Sequence, residues 1–127
     1  MKIAALLSRI LLGLVFVIFG LNGFLQFIPV KAFPTGLAGQ FITVLMQSHY
    51  TLFISAFQLI GGALLLVNRY VPLALALLGP VILNILLYHL LLDHNGAPVA
   101  VVVAILWFIL FYRHRQYFSS LFVQRTA

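Results

Sequence analysis

Few side chains in this sequence can do chemistry, and most of them lie inside long apolar runs. Arg9 sits within residues 3–28, Gln58 within 50–67, and Asn84, Tyr88 and His89 within 71–92. A charged or amide group in such a run is costly in lipid, so each is a candidate for function. Arg9 has two readings. It either snorkels to the headgroups, or it faces neighbouring helices and holds a polar side chain or an anion. Gln58 either makes an interhelical hydrogen bond or orients a polar ligand, but an amide carries no proton. Asn84 lies four residues after Pro80 and four before Tyr88. It either compensates for the backbone bond that Pro80 removes or donates to a ligand. His89 and Asp93 are also four apart, so on a helix the carboxylate can fix the imidazole tautomer and raise its basicity. The plainer alternative is a polar pair at a helix end. Together Arg9, Gln58, Asn84, Tyr88 and His89 form a candidate ligand pocket. A His or Asn donor beside an apolar, aromatic slot is what a quinone requires.

Other chemistries find no support. There is no cysteine, which removes thiol catalysis, disulfides and iron–sulfur clusters within this chain. A single acidic residue leaves no carboxylate pair for acid–base work, and no Gly-rich phosphate loop precedes a helix. His49, His89, His94 and Asp93 match no spacing known for a metal or haem site, so no metal centre is expected. No catalytic set is complete. An enzyme would need a partner subunit or a bound cofactor.

These residues need elements to position them, and composition says in what solvent. Of 127 residues, 65% are hydrophobic and 6% charged, against about 25% charged in an ordinary soluble domain. That excludes a soluble monomer, which needs polar cover, and a disordered chain, which needs charge. The net charge of +6 reads, in a membrane chain, as cytoplasmic-side basic residues meeting anionic lipid, so nucleic acid, which needs a clustered basic face, is not expected as a partner.

Crossing about 30 Å of hydrocarbon takes about 20 apolar residues. The sequence predicts spans over about 3–28, 50–67, 71–92 and 97–112, in a single integral membrane domain. Pro29 and Pro34 end the first; Asn68-Arg69-Tyr70 ends the second; Pro72 and Pro98 suit first helical turns. No small-x-small cleavage site closely follows the first run, so it reads as a retained helix rather than a signal peptide. Residues 35–48 place Gln40, Thr43 and Gln47 opposite Phe41, Val44 and Leu45, an amphipathic helix on the outer surface. Residues 115–123, with Tyr117, Phe118, Leu121 and Phe122 among Arg and Ser, read as a second interfacial helix. The expected fold is an all-α four-transmembrane-helix bundle with short amphipathic interfacial segments. Arg9, Gly13, Phe16, Gly20 and Gly23 share one face of the first span, and Ser55, Gln58 and Gly62 share one of the second, beside Gly61. Such small residues let helices pack closely. Six of the seven basic residues fall on one side, with Lys31 alone opposite. This predicts that both termini are cytoplasmic.

The sequence resembles the DoxX family of small four-helix bacterial membrane proteins. The resemblance rests on Arg9-Ile-Leu-Leu-Gly13 running on to Phe19-Gly20-Leu-Asn22-Gly23-Phe24, and on Gln58-Leu-Ile-Gly61-Gly62 running on to Asn68-Arg69. Gly79-Pro80, Asn84 and His89, then Phe111-Tyr112-Arg113, complete it. Relatives include the membrane subunit of a thiosulfate:quinone oxidoreductase, and many members have no settled activity. By position, Arg9 corresponds to the family's first-span Arg and Gly62 to its second-span Gly pair. Many relatives carry Glu where this chain has Gln58, which weakens any proton-coupled role carried over. The resemblance implies a bacterial cytoplasmic membrane protein, an accessory or quinone-associated component of a redox system. The alternative is a non-catalytic scaffold or assembly factor. Expected partners are the lipid bilayer, membrane or redox proteins, and a second copy of the chain.

Overall fold

Five α-helices are seen among the described residues, 2–28 and 34–126, of a computed structural model; Lys31, the expected outer-side cation, lies outside them. The helices are α1 (Lys2–Leu25), α2 (Gly36–Gln47), α3 (Tyr50–Leu66), α4 (Val71–Leu91) and α5 (Ala97–Arg113). A 3₁₀ turn, His94–Gly96, joins α4 to α5, and a 3₁₀ segment, Arg115–Phe122, forms the tail.

The helix ends have local causes. α1 stops at Leu25, short of the expected residue 28. Gln26 takes a left-handed φ of 52°, and the Asn22 carboxamide oxygen accepts the Ile28 N–H at 2.8 Å. Between α3 and α4, Asn68 and Tyr70 also adopt positive φ, 56° and 53°, which turns the chain sharply enough to lay α4 against α3. Pro72 and Pro98 occupy the first turns of α4 and α5, where a missing N–H costs nothing.

The four long helices contact one another in a ring: α1 with α3, α3 with α4, α4 with α5, and α5 back to α1. The α1–α3 interface is the most extensive, and its glycines explain why. A Cβ built at Gly62 would lie 2.7 Å from Val17 N and 2.9 Å from Gly13 O, and one at Gly20 would lie 2.6 Å from Leu59 N. Ser55 occupies the space beside Gly23. Backbone therefore meets backbone, a contact that only hydrogen at Cα permits. Gly61 turns to Leu78 of α4 instead. The buried residues of α4 run from Val71 to Ile82, with none over 83–91. The core therefore lies towards the end where α3 turns into α4, and the opposite end is looser.

Around this core the exterior is apolar: Phe19, Phe57, Leu83, Leu87, Val102 and Phe108 are all exposed. Water does not tolerate apolar patches of that extent, and lipid does. α1, α4 and the stretch His94–Arg113 are long and apolar enough to cross a membrane. α3 has 17 residues, about 25 Å at 1.5 Å per residue, and is bent 83° from α2. The architecture is all helical, with three to four candidate membrane-spanning helices.

α2 differs from its expected two-faced pattern. Ala38 and Gly39 are buried and Ile42 and Leu45 half-buried, whereas Leu37, Phe41 and Val44 are exposed beside Gln40 and Gln47. Small residues let the helix sit close to its neighbours, Gly39 against the Pro34 carbonyl, so the larger apolar residues are left facing outward. The tail is 3₁₀ rather than α-helical, and of its four apolar residues only Phe118 is buried, tilted against Phe111 at 5.0 Å.

Candidate functional site

Arg9 faces α3. Its Nη1 donates to the Leu65 carbonyl at 2.5 Å and reaches the Leu66 carbonyl at 3.3 Å. These are the last two carbonyls of α3, at the negative end of the helix dipole; the Leu65 carbonyl also accepts the Asn68 N–H at 3.2 Å. A half-buried guanidinium is suited to that position because it offers several donors and stays charged. Arg9 therefore closes the end of α3, and its charge is engaged by the chain's own backbone.

The remaining candidates do not join it. From Val71, beside the end of α3, to Tyr88 is 17 residues of α4, about 25 Å along the axis. Asn84 is exposed and donates to the Pro80 carbonyl at 2.8 Å. That is not the acceptor the proline orphans: Pro80 lacks the N–H that would reach Ala76, four residues earlier. Gln58 is half-buried on α3. Tyr88 and His89 touch, ring edge to face at 5.0 Å. The five residues thus do not form one pocket, because Arg9 is held at one end of the bundle by α3 and the aromatic pair lies at the other.

At that other end His89 pairs with the Asp93 backbone, not its carboxylate. His89 Nδ1 lies 3.0 Å from the Asp93 carbonyl oxygen, which can only accept, so Nδ1 carries a proton, and in the neutral ring Nε2 is the acceptor. The Asp93 carboxylate instead accepts the Asn95 N–H at 3.1 Å, an Asx turn that starts the 3₁₀ segment. His94 Nδ1 lies 3.0 Å from the His89 carbonyl oxygen. The imidazole of His89 rests on Gly96, where a Cβ would strike the ring carbon Cε1. Phe41 of α2 extends the aromatic run, its ring 5.9 Å from that of Tyr88.

Two open clefts flank α2. One, of about 440 Å³, is lined by Gly36, Gly39, Gln40 and Thr43; the other, of about 480 Å³, lies between Thr35, Ala38 and the Asp93–Asn95 turn. None of the five candidate residues lines either. Among the described residues, no three His, Asp or Glu side chains come together to hold a metal ion. Two contacts escaped sequence reasoning. Phe41 belongs with Tyr88, and Trp107 donates from Nε1 to the Leu75 carbonyl at 3.0 Å while stacking on Phe111 at 5.2 Å. By position Trp107, with Tyr112 and Tyr117, reads as an aromatic belt at the end of the fourth span; its half-buried indole instead satisfies its N–H on α4.

The class defined by this fold is a small helical chain with three to four apolar, membrane-length helices. No family model, no curated protein and no solved structure matches it.

Proposed function

We propose that this chain is a multi-pass protein of the bacterial cytoplasmic membrane, of the DoxX type, acting as a quinone-associated accessory component of a redox system. In this reading α1, α3, α4 and α5 are four spans and both termini are cytoplasmic. α2 lies in the outer interface, which its 83° bend from α3 supports. The observation that carries the quinone reading is the run Phe41–Tyr88–His89. It supplies flat apolar faces, at Tyr88 a hydroxyl that can donate to a quinone carbonyl, and at His89 a ring nitrogen that can accept from the hydroxyl of the reduced quinol, in the part of the bundle where packing is loosest. Arg9 is not part of this narrower site.

Mass spectrometry of the purified protein tests it. Wild type is expected to retain quinone, and His89→Ala and Phe41→Ala are expected to lose it while still inserting. A second reading, a non-catalytic scaffold, is favoured by one feature: Arg9, Asn84 and Trp107 all donate to this chain's own backbone carbonyls, which leaves them for structure rather than chemistry. A quinone-free protein that co-purifies with a stable membrane partner would support the scaffold and overturn the quinone reading.

A further inference from the structure

The two ends of the molecule differ in charge in a way the fold makes specific. Lys2 opens α1, Arg69 lies in the α3–α4 turn, Arg113 closes α5 and Arg115 begins the tail. Arg9 bonded to the end of α3, and Trp107 bonded to Leu75 early in α4, bring these starts and stops to one end. Asp93 is the sequence's one acidic side chain. It lies past the far end of α4, whose 21 residues span about 30 Å. No acidic side chain is therefore within reach of these cations, and the distance to Asp93 is several Debye lengths at physiological salt. Arg9 is occupied by backbone carbonyls, whereas Arg69 and Arg113 are exposed and make no side-chain hydrogen bond among the described residues.

The apolar side chains beside these cations narrow the choice of partner. Phe118 fastens the tail to Phe111, which leaves Leu121 and Phe122 at 72% and 79% exposure on the segment that begins with Arg115. Arg115 lies over the Tyr112 ring, 4.1 Å from its centroid, and donates to the Tyr112 carbonyl at 2.6 Å, so its charge is fixed at this rim. A nucleic acid would match the charge but leave Leu121 and Phe122 in water, and an acidic soluble protein would have to cover a rim that runs on into the exposed apolar sides of the helices. A lipid with an anionic headgroup satisfies both, phosphate to guanidinium and acyl chain to Leu and Phe.

We infer that this end is a docking surface for acidic phospholipid, with Arg69, Arg113 and Arg115 on the headgroup phosphate and the tail's Leu121 and Phe122 in the acyl region. The inference rests on the membrane placement proposed above. It is independent of the quinone reading.

The test uses the full-length protein purified from membranes, with native mass spectrometry in micelles holding equal phosphatidylglycerol and phosphatidylethanolamine. Wild type is expected to retain phosphatidylglycerol preferentially. Each cation near an anionic surface is worth about fivefold in binding, so Arg69→Gln/Arg113→Gln should lose about thirtyfold. Raising salt from about 0.05 M to about 0.5 M should weaken the wild-type preference in parallel, and that readout stands even where the double variant fails to fold. Equal retention of the two lipids, or a preference indifferent to salt and to both substitutions, overturns the proposal. Carbonate extraction of the same membranes separates the two ideas. A protein that resists extraction yet shows no lipid preference overturns the lipid surface alone. One released into the aqueous phase overturns the membrane placement and the lipid surface together.

Discussion

Arg9 and Leu65, 56 residues apart in sequence, are joined by a hydrogen bond from the guanidinium of α1 to the last turn of α3. This cation adds its donors to a helix C-terminus whose Leu65 carbonyl also accepts the Asn68 N–H of the following turn, at 3.2 Å. It also explains how a charge two turns into an apolar helix is kept. The guanidinium is not left in hydrocarbon, because it meets a concentration of carbonyl dipoles. The bond fixes the register of the α1–α3 pair at one end, and the glycine contacts continue it along the interface.

Removing that cation should cost stability rather than chemistry. A hydrogen bond to a charged group contributes about 1.5–3 kcal/mol, so Arg9→Leu is expected to lose about that much in thermal unfolding followed by circular dichroism in detergent. Arg9→Lys should recover part of it, because an ammonium supplies charge without the planar fork. A leucine variant as stable as wild type would show that the α3 carbonyls find other partners.

Glycine substitutions should separate by what the new methyl meets. At Gly62 the obstacles are backbone atoms of α1, 2.7 and 2.9 Å away, which cannot move without parting the helices. At Gly79 the nearest atom is Trp107 Cζ2 at 3.3 Å, a side chain that can yield. Gly62→Ala is therefore expected to destabilise by about 1–3 kcal/mol, and Gly79→Ala by clearly less. Matched melting curves decide it, and equal losses would contradict the close α1–α3 approach.

What the sequence could and could not reveal follows from the range of each signal. Stops at Asn68–Tyr70 and starts at Pro72 and Pro98 are local, and the helices observed begin and end there within a residue or two. α1 ended early because Asn22 reached forward to Ile28, and the Asp93 carboxylate accepts the Asn95 N–H instead of meeting the His89 ring. Both are short side-chain-to-backbone bonds that compete with a pattern read by helical spacing. The Arg9 contact was illegible for the opposite reason. Its partner is a backbone carbonyl, present at every residue, so no residue type marks it. Sequence spacing placed Arg9 on the glycine face, but the face alone did not say which end of α3 it would meet.

His89 and Gly96 should behave as a coupled pair. The Gly96 backbone, at φ −98°, is open to any residue, so Gly96→Ala fails only through collision with the imidazole. Trimming the ring with His89→Ala removes the obstacle. A double-mutant cycle on thermal stability is expected to show coupling of about 0.5–3 kcal/mol, with the double variant more stable than the sum of the singles predicts. Strict additivity would mean that the ring swings aside at no cost, and that the corner between α4 and α5 is not built on this contact.

The orientation of α2 can be read by labelling, because a chain without cysteine gives a clean background for single introduced thiols. The exposed surface of α2 is divided. Gln40 and Gln47 lie on a polar flank, and Leu37, Phe41 and Val44 on an apolar one. A helix in the outer interface would keep the first flank in water and sink the second among acyl chains. Gln47→Cys should therefore react in intact cells with a membrane-impermeant maleimide, and Val44→Cys should react far more slowly until detergent is added. Arg69→Cys, at the opposite end of α3, should label only after the membrane is permeabilised. Equal rates at 44 and 47 would deny that α2 lies in the interface. Labelling of Arg69→Cys but not Gln47→Cys in intact cells would turn the whole molecule over, and with it the assignment of the arginine-rich end to the cytoplasmic leaflet.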